Sequence, residues 1–464
     1  IVTGGTLTTL NGGTIGVANL FNGLDNVTIS NGSLVSMQNF SDMSLQRTIT
    51  NQGTIAMNSS SIDLIGDVTL TGGGTLLMSN NTANTIFGFN STLNNVDNTI
   101  RGAGTLQGTG LAIVNGGTFI ADQSNPLIIN STTFTNNGTL QVNSGSQLHL
   151  QGALSNFSGG TLAGGSCILN GGTMQVDAFG SAGGGLTALG DGVHSTVLTL
   201  NGTNATTQLL DSAGKNALNL SSVTANASLN LMNGYQMSNS NAFTNAGNVL
   251  IDGTSSLSVA SYDQTAGQTV IQAGGTLDAN TVTISGGAMT VDGTLDPASI
   301  EILTALDGTG NIIGNVTNDG TVEPGDSGTP GTLTITGNYT QHSTGILLED
   351  ILGTSSYSVL DVSGDVNLDG TIKVNLLDGF TPSDGETFAF LTGFNSFIGS
   401  LTISGVPDPQ DWSIFQSGDS LDLRFGQAGG AVPEPRFVIP EAAVLACVAF
   451  AWRRRRKEAS NLPS

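Results

Sequence analysis

The amino-acid sequence predicts an all-β protein, a right-handed parallel β-helix (solenoid) built from stacked coils. Three observations lead to this fold class. A short phrase, made of a polar turn, Gly-Thr and an apolar residue, recurs at gaps of about 20 residues, which is the size of one coil. The phrase is followed by runs in which apolar and polar residues alternate, the period of a strand with one buried face. No stretch carries a long amphipathic helical pattern.

The recurring phrase is clearest at Asn136-Asn137-Gly138-Thr139-Leu140. With small variations it returns at Gly13-Thr14-Ile15, Gly32-Ser33-Leu34, Gly53-Thr54-Ile55, Gly74-Thr75-Leu76, Gly104-Thr105-Leu106, Gly117-Thr118-Phe119, Gly160-Thr161-Leu162, Gly172-Thr173-Met174 and Gly275-Thr276-Leu277. A β-sandwich needs a fixed set of strands around one core, whereas a solenoid repeats one coil with equivalent positions stacked. The repetition therefore favours a solenoid, with about fifteen coils and a length of about 70 Å.

Composition and charge narrow the function classes. The 464 residues include 66 glycines and only 10% charged residues, yet 38% are hydrophobic, so the glycines fit turns between many short strands. The net charge is −23, with 34 acidic against 11 basic residues. A body so poor in Lys and Arg argues against nucleic acid as a partner. The two cysteines, Cys167 and Cys447, predict no disulfide framework.

The chain divides into five predicted segments. Residues 1–320 carry the repeats, with a weaker pattern between Gly180 and Tyr235 that predicts a bulging turn or short insertion. Residues 321–425 have longer strands and more aromatic residues, which predicts a C-terminal β cap over the open solenoid end. Residues 426–436 form a Gly- and Pro-containing linker, residues 437–452 a short transmembrane helix, and residues 453–464 a basic cytoplasmic tail.

The last segments contain the most specific motif of the chain. A Pro-Glu-Pro box precedes the apolar run, which Pro440 and Glu441 interrupt, and a basic cluster follows it. The apolar run has about 16 residues, or about 24 Å of helix, against about 20 residues for a typical span. The box consists of Val432, Pro433, Glu434 and Pro435, and the cluster of Arg453, Arg454, Arg455, Arg456 and Lys457.

These three parts, in this order, resemble the PEP-CTERM sorting signal, and residues 321–425 resemble the C-terminal part of autotransporter-like and PEP-CTERM surface β-helix proteins. The resemblance implies recognition by an exosortase-type membrane transpeptidase, a transient anchor in the inner membrane, and cleavage at or near Pro433-Glu434-Pro435. It also implies delivery to the cell surface or extracellular matrix of a Gram-negative, polysaccharide-producing bacterium. No signal peptide is recognisable at Ile1, and we expect the N-terminal part of the protein to be missing from this sequence.

The predicted function is that of a structural or adhesive rod, not an enzyme, without cofactor or metal. The alternative is a polysaccharide-processing lyase or hydrolase, or a glycan-binding β-helix, with exopolysaccharide or other surface glycans as the partner. Processing enzymes need clustered carboxylates with nearby Arg or Lys. Before residue 320 the basic residues are only Arg47, Arg101 and Lys215, the acidic residues are scattered singly, and His149 and His194 stand alone.

Three further features are interpreted as structural. Tyr235 and Tyr262 are too few to form an aromatic sugar platform, and most phenylalanines are expected in the core. Asp365 to Gly370 fits the first half of a Ca²⁺ loop, but its twelfth position is Leu376, so we predict an Asp-Gly hairpin turn instead. Gly325-Asp326-Ser327-Gly328 resembles the sequence around a serine-protease nucleophile, and we interpret this as coincidence in a turn.

Overall fold

A computed structural model describes residues 1–18 and 20–426. The chain is an all-β parallel solenoid of about 18 turns, as its sequence predicts, and almost none of it is helical. Each coil contributes strands to up to three faces, which we call the first, second and third face in the order in which a coil visits them. At about 4.8 Å per rung, the stack is about 80 Å long.

The first face is a continuous parallel ladder that passes through every coil. Its strands are Ile15–Val17, Leu34–Met37, Thr54–Met57, Thr75–Met78, Thr99–Gly102, Thr118–Ala121, Thr139–Val142, Gly165–Asn170, Thr196–Asn201, Ala227–Met232, Asn248–Ile251, Gln268–Ile271, Ala288–Val291, Ala305–Gly308, Thr321–Asp326, Ile346–Gly353, Thr371–Leu376 and Thr402–Ser404. Because each of these strands lies on the previous one, the first face holds the stack in one register.

The second face follows the first along the chain, and five strands continue from it into the third face. These five are Asp42–Asn51, Ser61–Thr71, Ser256–Gln264, Thr276–Ile284 and Thr294–Ile302. The other second-face strands are Val2–Thr3, Asn22–Asp25, Thr85–Gly88, Gly104–Gln107, Leu127–Asn130, Gln147–Leu150, Thr173–Val176, Gln208–Leu210, Gln236–Ser238, Asn311–Ile313, Thr332–Thr336, Val359–Val362 and Thr387–Thr392.

The third face completes each coil before the chain returns to the first face. Its separate strands are Thr6–Leu7, Thr28–Ile29, Thr92–Asn95, Ala112–Asn115, Thr133–Asn136, Ala153–Leu154, Leu186–Leu189, Leu218–Val223, Ala242–Asn245, Asn315–Asn318, Tyr339–Gln341, Asp365–Leu368 and Ser396–Gly399. Single-turn 3-10 helices occur at Asp177–Phe179 and Pro409–Asp411. The solenoid interior lies between the three faces and is filled by the alternating apolar residues.

The Gly-Thr phrase begins first-face strands in the N-terminal half. Its threonines occupy one register position on successive coils, and the apolar residues that follow them point inward. The threonines are Thr54, Thr75, Thr118 and Thr139, joined at the same position by Thr99, which follows Asn98 instead of glycine. The inward residues are Ile55, Leu76, Ile100, Phe119 and Leu140. Other copies of the phrase begin second-face strands, as at Thr105, Thr173 and Thr276, which explains the irregular gaps in the sequence.

The glycine of this phrase is required by the closeness of the coils. A Cβ added to Gly138 would lie 2.0 Å from the carbonyl oxygen of Gly117, and one added to Gly117 would lie 2.3 Å from the oxygen of Asn98. Neither glycine has a positive φ. Tight stacking, not turn conformation, therefore explains glycine at these corners.

Buried amides line the corner between the third and first faces. The Asn95 side chain donates to Asn115 Oδ1 at 2.9 Å, and Asn115 donates to Asn136 Oδ1 at 2.8 Å. Farther along, Asn245 donates to Gln264 Oε1 at 3.0 Å, and Asn318 donates to Gln341 Oε1 at 3.2 Å. Such amide ladders satisfy polar groups inside the stack, which would otherwise cost about 1–3 kcal/mol each.

The weak repeat pattern between Gly180 and Tyr235 corresponds to longer coils and a local insertion. Ser166, Val197 and Ser228 keep one register position on the first face, so the stack is not interrupted. The added residues include a turn closed by an antiparallel bridge between Leu210 and Asn216. Just before this region, an antiparallel hairpin of Phe157–Ser158 and Thr161–Leu162 pairs through its second strand with Leu186–Leu189. The extra chain is therefore accommodated at the side of the solenoid.

The end of the solenoid lies later than the sequence analysis places it. We expected a cap from residue 321, but parallel pairing continues to Thr402–Ser404. Only the hairpin of Trp412–Ser417 and Ser420–Phe425 runs antiparallel to the last coils, pairing with Thr387–Thr392. Short hairpins also leave the first face at Thr329–Pro330 and Ser356–Tyr357. Longer strands in this region thus belong to the coils themselves.

Candidate functional site

Four phenylalanines are exposed on or beside the second face of the first coils. Phe21 is 89% exposed, Phe40 83%, Phe89 62% and Phe87 41%. We call this set the phenylalanine patch: Phe21 and Phe40 precede second-face strands, Phe87 lies in one, and Phe89 follows it. Every other phenylalanine among the described residues is buried or half-buried, so the exposed ones are confined to one end of the rod. The expectation that most phenylalanines are core residues is correct, but it missed this group.

Strand alternation places two members of the patch outside. Strand Thr85–Gly88 directs Ile86 inward, at 1% exposure, so Phe87 points outward and Phe89 continues the same phase. Phe87 is in register with Asp63 on one side and Gln107 on the other. Reading the phase of this strand from the sequence could therefore have identified Phe87 and Phe89 as surface residues.

The other two members lie at the corner that leads into the second face. Phe21 and Phe40 have left-handed backbone conformations, with φ of 68° and 60°. The Phe40 N–H donates to the Ser59 carbonyl oxygen at 2.8 Å, and Ser59 itself has φ 51°. A bulky residue in this conformation is uncommon. The sequence alone gave no signal for it.

A pair of carboxyl groups lies beside the patch. Asp42 and Asp63 come from adjacent coils, and Asp63 lies between Ser44 and Phe87 in the second-face ladder. Burial raises the pKa of Asp63, and the neighbouring Asp42 carboxyl raises it further. Asp42 Oδ1 is buried without a hydrogen-bond partner. The expectation that acidic residues before residue 320 are scattered singly is thus wrong for this pair.

This arrangement combines two kinds of group that contact sugars. Aromatic faces pack against the apolar C–H side of a pyranose ring, and carboxylates accept hydrogen bonds from its hydroxyl groups. The Asp42 carboxyl group is close enough to Asp63 to raise its pKa, and both carboxyl groups can accept hydrogen bonds from sugar hydroxyl groups.

The basic residues predicted to be far apart are indeed on different coils, and both arginines form ion pairs. Arg47 contacts Asp25 through Nε at 2.6 Å and a terminal nitrogen at 2.7 Å, and this lowers the pKa of Asp25. Arg101 Nε contacts Asp122 at 2.7 Å. These guanidinium groups are neutralised within the chain, which disfavours a uronate-binding site built on them.

Each histidine has an aspartate partner, so the expectation that His149 and His194 stand alone is wrong. His149 Nε2 lies 2.9 Å from Asp177, and its other ring nitrogen lies 3.3 Å from the Gln151 amide. His194 Nδ1 lies 2.7 Å from Asp191. Aspartates on neighbouring coils or turns supply these partners, and no hydroxyl nucleophile hydrogen-bonds to either ring in the described part of the chain.

The two weak motifs occupy structural positions. Asp369 and Gly370 form a solenoid corner between a third-face and a first-face strand, so the predicted hairpin is wrong. Asp365 accepts a hydrogen bond from Ser396 at 2.7 Å. Ser327 lies in the hairpin turn between Thr321–Asp326 and Thr329–Pro330. Neither position assembles a calcium loop or a catalytic triad among the described residues.

The tyrosines are also structural. Tyr235 and Tyr262 are 4% and 1% exposed. The Tyr262 hydroxyl lies 2.6 Å from that of Thr269 inside the stack. Tyr235 borders a polar depression of about 140 Å³. In this depression the Asn204 side chain donates a hydrogen bond to the Gln236 carbonyl oxygen and accepts one from the Gln236 N–H. The phenylalanine patch is therefore the better candidate site.

The sorting residues Val432 to Pro435, the predicted transmembrane helix and the basic cluster Arg453 to Lys457 lie outside the described residues. Within residues 1–18 and 20–426, no helix has the length and apolar character needed to cross a membrane. No family model matches this chain, and no curated protein matches it.

Proposed function

We propose that this chain is an exported surface or extracellular-matrix protein whose right-handed β-helix serves as a structural and adhesive rod. The observation that carries the proposal is the uninterrupted first-face ladder, which makes one stiff body from the first coils to Thr402–Ser404. A long rod with an acidic, lysine-poor surface stays soluble and extends away from the place where it is attached.

The proposed route to the surface depends on the C-terminal tail. The Pro-Glu-Pro box, the apolar run and the arginine cluster suit recognition by an exosortase-type transpeptidase, with the inner membrane as a transient anchor. The antiparallel hairpin at Trp412–Phe425 ends close to the linker at residue 426. Cleavage near Pro435 would thus release a complete solenoid without the tail.

Mass spectrometry of the surface-exposed protein tests this route. We expect the mature C-terminus near Pro435, and the double change Pro433→Ala with Glu434→Ala should leave the precursor in the inner membrane. Pro407→Ala, in a loop before the final hairpin, is the control and should be processed normally. A surface form that retains the Arg453–Lys457 peptide would contradict the proposal.

Glycan binding is the second candidate function, and the phenylalanine patch favours it. A patch of exposed aromatic rings beside carboxylate acceptors suits a neutral polysaccharide. The net charge of −23 repels polyanionic chains such as uronates or nucleic acids. An adhesive rod that holds neutral glycan at one end would connect the cell surface to its matrix.

Co-sedimentation with insoluble neutral polysaccharides tests this second function. We expect Phe40→Ser together with Phe89→Ser to reduce bound protein at least tenfold without changing thermal stability, since both rings are exposed. Ile398→Ser is the matched control, because Ile398 is 64% exposed on a distant coil. Equal binding by the patch variant and the control would exclude the patch as the contact site.

A further inference from the structure

Carboxyl groups concentrate on the first face where two hairpins leave the solenoid. The hairpins are Thr321–Asp326 with Thr329–Pro330, and Ile346–Gly353 with Ser356–Tyr357. Asp307 and Glu323 are register neighbours on adjacent coils. Asp350 lies on the next coil, in the strand that pairs with Thr321–Asp326, and its carboxyl group is close enough to raise the pKa of Glu323. Three acidic side chains thus follow one another along the rod.

One of these carboxyl groups is buried and incompletely paired. Asp350 is 1% exposed, and its Oδ2 has no hydrogen-bond partner. Its Oδ1 accepts a hydrogen bond from the Asn375 side chain at 2.7 Å. A buried oxygen left unpaired beside a second carboxyl group is costly unless a proton or a cation joins them.

No basic side chain of the described residues forms an ion pair with Glu323 or Asp350, since the five ion pairs involve other aspartates. Lys373 lies beside Leu348 in the ladder of the next coil and is exposed. Burial raises the pKa of Glu323, and the Asp350 and Asp307 carboxyl groups raise it further. Gly328 N–H is the one backbone donor to Glu323, at 3.0 Å. The negative charge of these two carboxyl groups is therefore not balanced by an ion pair within residues 1–18 and 20–426.

We propose that Glu323 and Asp350 bind one Ca²⁺ ion between the two hairpins. No three His, Cys, Asp or Glu side chains converge as a metal cage in the described residues. Water and backbone oxygens would therefore complete the coordination. Ca²⁺ accepts such an irregular oxygen shell, whereas Mg²⁺ requires near-ideal octahedral geometry.

The expected affinity suits a protein outside the cell. Two carboxylates, with water and backbone oxygens as the other ligands, predict half-saturation at about 0.1–1 mM, the range of extracellular calcium modules. The physiological use of so weak a site rests on the exported location proposed above. Binding itself does not, because it is measured on the purified protein.

Calcium titration of the purified full chain, after removal of metal with EDTA, tests the proposal. Isothermal titration calorimetry at pH 7.5 should detect about one Ca²⁺ per chain in this range, and the unfolding midpoint should rise with Ca²⁺ until the site is saturated. Mg²⁺, and NaCl at matched ionic strength, should produce less than one third of that rise.

Two variants that remove one negative charge each should change both the calcium affinity and the stability of the metal-free protein. Glu323→Gln and Asp350→Asn should each weaken Ca²⁺ binding at least tenfold, and each should raise the unfolding midpoint of the metal-free protein by removing repulsion. Asp278→Asn, at an exposed acid on another face, should keep the full calcium response. If Asp350→Asn does not fold, Glu323→Gln alone decides.

Three results would overturn the site: no binding of Ca²⁺, an equal response to NaCl, or an unchanged response in Glu323→Gln. A different result would show that the exported role is wrong: calcium binding would be normal, but the tail would never be cleaved. The two proposals can therefore fail independently.

Discussion

Replacing Glu349 by methionine should stabilise the protein, and more so as pH rises. Glu349 is fully buried on strand Ile346–Gly353, between inward-facing Leu347 and Ile351 and in register with Val374. Both of its carboxyl oxygens lack hydrogen-bond partners. Burial, and then the charge of Asp350, raise the pKa of Glu349 well above 4.5. Methionine matches its length and removes the buried carboxyl group.

The magnitude follows from proton linkage. A carboxyl group with a raised folded pKa contributes its full stability below the unfolded value of 4.5, and that contribution is lost as pH rises through the folded pKa. Between these two values the folded chain binds one more proton than the unfolded chain. The free energy of unfolding of the wild type should therefore fall by about 1.4 kcal/mol per pH unit from this group.

Denaturant and thermal unfolding from pH 4 to 8, in EDTA, measure this effect. The advantage of Glu349→Met over wild type should grow above pH 4.5 with the slope given above, added to about 1–3 kcal/mol for the unpaired group itself. Glu301→Gln is the control, because Glu301 is exposed on another face. A variant less stable than wild type at pH 7.5, or an advantage independent of pH, would refute the reasoning.

Three further predictions concern the stack. Gly138→Ala should lower the free energy of unfolding by about 1–3 kcal/mol, measured by denaturant unfolding, because its Cβ would overlap the neighbouring coil; Gly16→Ala, with open space around the Cβ, should be neutral. Asn115→Ala should cost about 1–3 kcal/mol in the same assay, since two neighbouring buried amides lose their partner. The Cys167 thiol should resist iodoacetamide at pH 8 until the chain unfolds, because burial raises its pKa to about 12; peptide mapping would show this. Destabilisation by Gly16→Ala equal to that by Gly138→Ala, a neutral Asn115→Ala, or alkylation of native Cys167 would contradict the respective prediction.

The candidate site could be read from the sequence only in part. The strand phase at Ile86 was sufficient to place Phe87 on the surface, because alternation is a local property. The neighbours of Phe87 could not be predicted from the sequence, because Asp63 belongs to the previous coil. The number of residues per coil varies, so the sequence separation between neighbours on successive coils varies too. The same applies to Asp42 beside Asp63, to His149 beside Asp177, and to Asp350 beside Glu323.

The sequence by itself determined the fold class, the inward apolar residues and the amide-rich corners. Repeat, alternation and glycine content are local features that every coil carries, and each coil needs them to lie against the next. The tertiary structure alone decided which coils are longer, where the antiparallel hairpin ends the stack, and which acids, histidines and aromatic residues are neighbours. The physical reason is that contacts between rungs depend on the lengths of all the turns between them, whereas burial within a rung depends on a few adjacent residues.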